Sequence, residues 1–188
     1  MSESLQAVIF DMDGTITQPV IDWLKLRDAI KAPPESSIME HIRSLTGSEQ
    51  QRATEILLET ELRATEGVDL NEGFHELFAE VCSRGMRTAV VTNNHCAAMQ
   101  NVLTQHSLRF DVALCRDDGE LKPAPDLIKL ALDQLDCPAD QALGIGDSRL
   151  DVQACGAAGV RCLYLTHGQP KIDHEPAIVQ LSEAVAYL

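Results

Sequence analysis

The stretch VIFDMDGTIT, residues 8–17, decides how the chain is to be read. Three apolar residues, Val8, Ile9 and Phe10, run directly into Asp11, Met12, Asp13 and Gly14. An apolar, β-branched run bounded by turn residues reads as a short buried strand. Ending it on two carboxylates two residues apart is costly, because like charges disfavour each other's ionisation. The spacing i, i+2 aims both side chains to similar sides, and Gly14 lets the backbone turn so that its N–H groups can face an anion. A cation nearby would relieve the repulsion.

Working outward, the first run extends to LQAVIF (5–10), and four others share its character: RTAVVT (87–92), DVALC (111–115), ALGIG (142–146) and RCLYLT (161–166). Helical patterns separate them. NEGFHELFAEVCSRG (71–85) carries Phe74, Leu77, Phe78 and Val81 at helical spacing and Gly85 as a stop. Residues 95–107, PAPDLIKLALDQL (123–135, with proline at its start) and SRLDVQACGAAG (148–159) follow suit. Strands alternating with helices predict an α/β fold, a Rossmann-like parallel sheet with helices on both faces and right-handed crossovers. Residues 17–70 break the rhythm with amphipathic helices and no strand, punctuated by Pro33-Pro34 and Thr46-Gly47-Ser48. The expected organisation is a core of residues 1–16 and 71–188 with a small all-helical unit, 17–70, inserted after the first strand. The tail, 167–188, reads as a polar loop and a short apolar end packed on the core.

The chain has 188 residues, enough for one core with a modest insertion. Its net charge, 15 minus 29 or −14, disfavours a general nucleic-acid binder, which needs basic surface to neutralise phosphates. An anionic substrate stays possible, because a metal and one lysine can invert the field locally. No apolar run approaches a membrane span, and the N-terminal MSESLQ has no secretory pattern. Six cysteines (82, 96, 115, 137, 155 and 162) include no C-x-x-C pair, and most lie in apolar segments. They are expected to be reduced, buried thiols of a cytoplasmic protein.

In an open parallel sheet, ligands bind beyond the carboxyl ends of the strands. There the sequence places Asp11 and Asp13, Thr92-Asn93, Lys122-Pro123, and Gly146-Asp147-Ser148 with Asp151 four residues past Asp147. Four acids, one lysine and small hydrogen-bonding groups suit a hard cation such as Mg²⁺ shared with a phosphate.

DMDGT, Thr92-Asn93, Lys122-Pro and GDSRLD resemble the four motifs of the haloacid dehalogenase superfamily, in the correct order, across residues 5–166. D-x-D-G-T alone has a random expectation on the order of 10⁻³ in a chain of this length. The helical insert lies where many members carry a cap. The resemblance implies Asp11 as nucleophile, forming an aspartyl-phosphate, and Asp13 as general acid and then base. It implies Mg²⁺ held by Asp11, the Asp13 carbonyl and Asp147, with Asp151 behind them or acting through water. Thr92 and the Asn93 backbone would bind phosphoryl oxygens, and Lys122 would neutralise charge there. The second acid argues against dehalogenation, which needs no proton donor for a departing halide.

The resemblance therefore implies a phosphatase of the phosphoglycolate phosphatase-like kind, with a small phosphorylated metabolite as substrate. Two alternatives stay open. Mutases of the β-phosphoglucomutase kind share KPAPD (122–126) but usually carry Glu-Asp where this chain has Gly146-Asp147. A catalytically weak binding protein is the other. Trp23, Lys25, Arg27, Lys31, Arg43, Arg52 and Arg63 are cap candidates to read the leaving group, Arg43 first among them. The sequence leaves monomer or dimer undetermined.

Overall fold

The computed structural model describes residues 4–188, so the first three residues of the expected core, and the part of MSESLQ they contribute, lie outside it. Six strands form one sheet: β1 (Ala7–Phe10), β2 (Arg87–Val91), β3 (Val112–Leu114), β4 (Ala142–Gly146), β5 (Arg161–Leu165) and β6 (Ala177–Ile178). Their spatial order is β3-β2-β1-β4-β5-β6, and every pair is parallel. β1 is hydrogen-bonded on both edges, with Ile9 opposite Ala89 on one side and Gly144 on the other. A strand buried on both faces has no reason to alternate polar and apolar residues, which is why AVIF is wholly apolar.

The pleat sends alternate β1 residues into two separate cores. Val8 and Phe10 join α4 (Phe74–Ser83) and α5 (Cys96–Gln105) through Phe74, Leu77, Val81, Met99 and Val102. Ala7 and Ile9 join α6 (Asp126–Leu135) and α7 (Arg149–Ala158) through Leu127, Ile128, Ala131, Ala154 and Cys155. The predicted α/β fold with helices on both faces is borne out. All four phenylalanines of the chain, Phe10, Phe74, Phe78 and Phe110, meet on the first face, with ring centroids 4.8–6.2 Å apart.

Between β1 and α4 lie α1 (Trp23–Ile30), α2 (Ile38–Ser44) and α3 (Gly47–Thr65). They pack around a third cluster, Leu26, Ile30, Ile42, Ala53 and Leu57. The chain leaves the core and re-enters it side by side. Gln18 N donates to Asp69 O and Asn71 N to Ile16 O, while Asn71 Nδ2 donates to the carbonyls of Thr15 and Thr17.

Two local expectations change. The tail adds a sixth strand, β6, before a 3₁₀ segment, Leu181–Tyr187, whose Leu181 and Ala184 are buried. Two residues are too few to display a strand period. Pro123 does not begin α6, which starts at Asp126 after Pro125. The Lys122 backbone is instead held in a turn by the Asn93 side chain, through Asn93 Nδ2 to Lys122 O and Lys122 N to Asn93 Oδ1, both 2.9 Å.

Phe74 is fully buried between Phe10 and Phe78. Phe74→Ala should lower the unfolding free energy in urea by about 3–5 kcal/mol; a loss below about 1 kcal/mol would mean that the cluster collapses to fill the gap.

Candidate active site

The carboxyl ends of β1, β2 and β4 and the loop after β3 bring the predicted residues to one place. The Lys122 side chain is 4% exposed, and its ammonium meets three acceptors. Nζ donates to Asp11 Oδ1 at 2.5 Å, to Asp151 Oδ1 at 2.5 Å and to Val91 O at 3.0 Å. An ammonium has three N–H donors, so its hydrogen-bonding capacity is filled. Burial works against the charge, but Asp11 and Asp151 outweigh it, so the Lys122 pKa stands above the ordinary lysine value.

Asp151 is buried, and its two oxygens serve different partners. Oδ1 takes Lys122, while Oδ2 accepts from the Ser148 backbone N–H and hydroxyl in the capping box that starts α7. Asp151 thus ties the start of α7 to the lysine, which the sequence reading did not foresee. α7 can come this close because position 146 is glycine: a Cβ there would lie 2.3 Å from Asp151 Cβ. Gly14 serves in the same way at the other end. Its φ is +80°, and a Cβ would meet Asp147 Oδ2 at 2.5 Å.

Oxygens of Asp11, Asp147 and Asp151 lie within 4.8 Å of one another. Burial and then Asp151 raise the pKa of Asp11, with Lys122 opposing. Burial and then Asp151 also raise Asp147. Carboxylates that crowd and raise one another in a buried place are the donor set a hard divalent cation needs. Because Asp151 is already engaged on both oxygens, Asp11 and Asp147 are the side chains that fit such a cation. The Asp13 carboxylate lies outside this group.

The Asp13 carboxylate instead receives a 2.6 Å hydrogen bond from Asn94 Nδ2. Its pKa is raised to about 7, by burial first and then by the charge of Glu61, with Lys122 opposing. Asn94 is buried and is tied back by its own N–H to Thr92 Oγ1 at 3.0 Å. Thr92 sits at the end of β2, its N–H on Leu114 O. The Asn93 side chain is spent on the Lys122 turn. Asn94 was missed; a third polar residue in TNNH after a strand was the available signal.

Glu61 and Arg116 had no sequence signal at all. Glu61 sits on α3 and Arg116 in the loop after β3. They form a buried two-pronged pair at 2.7 and 3.0 Å, and Glu61 also accepts from the His95 N–H at 3.1 Å. The helical insert is therefore fastened to the core beside Asp13. The side chains of four of the six cations named from sequence have partners elsewhere in the chain. Lys25 pairs with Asp22 and Arg63 with Glu59. Arg27 donates to the Pro33 and Ser36 carbonyls, and Lys31 ends α1 in a left-handed conformation. Arg43 reaches Glu120 across to the core, 3.6 Å away and exposed. From the tail, His167 Nε2 donates to Gly14 O at 2.7 Å, and the exposed Lys171 lies 3.5 Å from Asp147.

The expectation of uniformly reduced thiols is corrected. Cys96, the first residue of α5, is joined to Cys115 just past β3, while Cys82, Cys137, Cys155 and Cys162 are free. Nineteen residues separate the pair, and only the parallel pairing of β2 with β3 brings them to the same edge.

The fold is an α/β sheet, and it gathers carboxylates and one buried lysine at the carboxyl edge. The profile of the haloacid dehalogenase-like hydrolases matches residues 8–165, and the chain belongs to that family. It is 30% identical over 172 residues to a haloacid dehalogenase-like hydrolase domain-containing protein of Arabidopsis thaliana, covering 85% of this chain and 70% of the relative. It is 28% identical over 203 residues to phosphoglycolate phosphatase of Pseudomonas savastanoi pv. phaseolicola, covering 92% and 75%. Among solved structures, a haloacid dehalogenase-superfamily hydrolase of Geobacter sulfurreducens superposes with a TM-score of 0.72 at 21% identity, covering 98% of this chain and all of the other. CbbY of Rhodobacter sphaeroides, bound to xylulose-1,5-bisphosphate, gives 0.73 at 22%, covering 95% and 96%. At such identities the structural likeness speaks for the fold. No helix among the described residues is long and apolar enough to cross a membrane.

Gly146→Ala should push Asp151 off Lys122. Hydrolytic activity should fall about 100-fold, the scale of a 1 Å misplacement, with far-UV circular dichroism preserved. An unchanged rate would show that the Asp151–Lys122 contact is dispensable.

Proposed function

We propose that the protein is a Mg²⁺-dependent phosphatase that hydrolyses a small phosphomonoester through an aspartyl-phosphate on Asp11. The observation that carries the reading is the pairing of Asp11 with buried Lys122, two residues from an acid that titrates near neutrality. Lys122 binds Asp11 Oδ1, which orients the carboxylate and leaves Oδ2 to attack phosphorus. As that bond forms, the ester P–O bond breaks, and protonated Asp13 gives its proton to the leaving oxygen. Asp13, now a carboxylate, takes a proton from water. The water oxygen attacks the same phosphorus and releases inorganic phosphate and free Asp11. Thr92 and the Asn93 backbone hold phosphoryl oxygens, and Asn94 keeps Asp13 aimed. Asp11, the Asp13 carbonyl and Asp147 would hold Mg²⁺, which supplies neutralising charge for the phosphoryl group. Most of the rate enhancement is then positioning and electrostatics.

In this reading residues 17–70 form the cap, and residues 1–16 and 71–188 form the core. The paired exit and entry strands at Ile16–Gln18 and Asp69–Asn71 support that boundary. The reading includes a cytoplasmic location, with neither nucleic acid nor membrane as partner. The similarity to phosphoglycolate phosphatases makes phosphoglycolate the compound to test first. The screen is of phosphorylated metabolites, with Mg²⁺ and with EDTA, followed by free phosphate. Metal-dependent release, abolished by Asp11→Asn with the fold intact, is the expected result. Isomerised sugar phosphate with little free phosphate would move the assignment to a mutase, and no turnover would move it to a binding protein.

The acid step needs Asp13 protonated, so kcat/KM should fall as pH rises through about 7. Glu61→Gln removes the second-largest influence raising that value. Ionisation becomes easier, so the alkaline limb should move to lower pH. A limb that stays in place would detach Glu61 from the chemistry.

A further inference from the structure

We propose that Cys96 and Cys115 are a reversible thiol–disulfide couple that locks together the two loops of the site, opened by a thiol reductant. The bond joins one segment carrying Thr92, Asn93 and Asn94 to another carrying Arg116 and Lys122. The first holds Asp13 through Asn94; the second holds Asp11 through Lys122 and α3 through Arg116 and Glu61. The backbone at the junction is already close, with Arg116 N on Asn94 O at 2.9 Å. The covalent bond therefore fixes the separation of the acid from the lysine.

Three features make this bond exchangeable instead of inert. Cys96 is half-buried and so open to attack, whereas Cys115 is fully buried. Cys96 opens the first turn of the ten-residue α5, where the helix dipole favours a thiolate. Cys115 Sγ accepts from the Asp117 N–H at 3.4 Å, which stabilises it as a leaving thiolate. The nearby Asp117 carboxylate opposes both effects, but it is exposed, where its field is screened. In a cytoplasmic setting thiols are kept reduced, and the disulfides that persist are mostly redox-sensing or catalytic.

The step balances with a thiol reductant. One thiolate attacks Cys96 Sγ, the Cys96–Cys115 bond breaks, and Cys115 leaves as a thiolate that takes a proton. The reductant's second thiol, or a second molecule of a monothiol such as glutathione, then displaces Cys96, and the reductant departs as its own disulfide. Two electrons pass to the protein, which gains two thiols.

The test poises the full-length protein in buffers of reduced and oxidised glutathione. Aliquots are quenched by alkylation to count thiols in the denatured chain, and aryl-phosphate hydrolysis is followed in parallel. The count should move reversibly between four and six, and kcat/KM should be about tenfold higher in the oxidised form. Cys96→Ser should stay at the lower activity in every buffer. A count that does not move, equal activity in both forms, or a purified protein carrying a thiophilic metal on these cysteines would each overturn the proposal. The activity arm rests on the phosphatase reading. Should no substrate be hydrolysed, hydrogen exchange at residues 92–96 and 115–122 decides: faster exchange on reduction supports the lock, and unchanged exchange overturns it.

Discussion

Everything at the carboxyl edge of the sheet depends on one ammonium group. Lys122 is buried among Asp11, Asp151 and the Val91 carbonyl. A buried charge without partners is untenable, so each partner had to be brought within bonding distance by a different element. β1 delivers Asp11, β2 delivers the carbonyl, and α7 delivers Asp151. α7 reaches far enough only because Gly146 leaves room beneath it, and the Lys122 backbone is itself pinned by Asn93. Removing one partner would leave the other charges uncompensated, which usually costs about 3–5 kcal/mol in a buried pair.

The second acid lives in a different environment, and that difference separates two aspartates two residues apart. Asp11 faces a lysine. Asp13 faces an amide, Asn94, and the field of Glu61. Glu61 belongs to the helical insert, yet it is pinned by Arg116 and the His95 N–H of the core. The insert therefore adds, after burial, to the proton affinity of a core residue. An insert that swung away would take its negative charge with it and leave Asp13 a stronger acid.

Much of this was legible in the sequence, for physical reasons. A buried strand is a short apolar run and a packed helix has a period, so the five longer strands and the flanking helices announced themselves. Strand ends are where polar residues interrupt such runs, so Asp11, Asp13, Thr92, Asn93, Lys122 and Asp147 could be gathered to one edge. What stayed hidden depends on pairings between distant segments. Glu61 with Arg116 and Cys96 with Cys115 follow from where α3 and β3 come to rest, which no local pattern encodes. Asp151 had two readings, a helix-capping residue and a site residue, and its two oxygens satisfy both. Asn94 was overlooked beside Asn93, though it is the neighbour that touches Asp13.

The tail carries a consequence for how relatives of this chain are compared. The family match ends at residue 165, but His167 braces the Gly14 carbonyl and Lys171 approaches Asp147. β6 then returns the chain to the sheet edge, so this loop is held at both ends. Two family members could agree at every motif and still differ in the positive charge presented to the Asp147 carboxylate. Divergence in cation choice or product release would then be written in a segment that motif comparisons trim away.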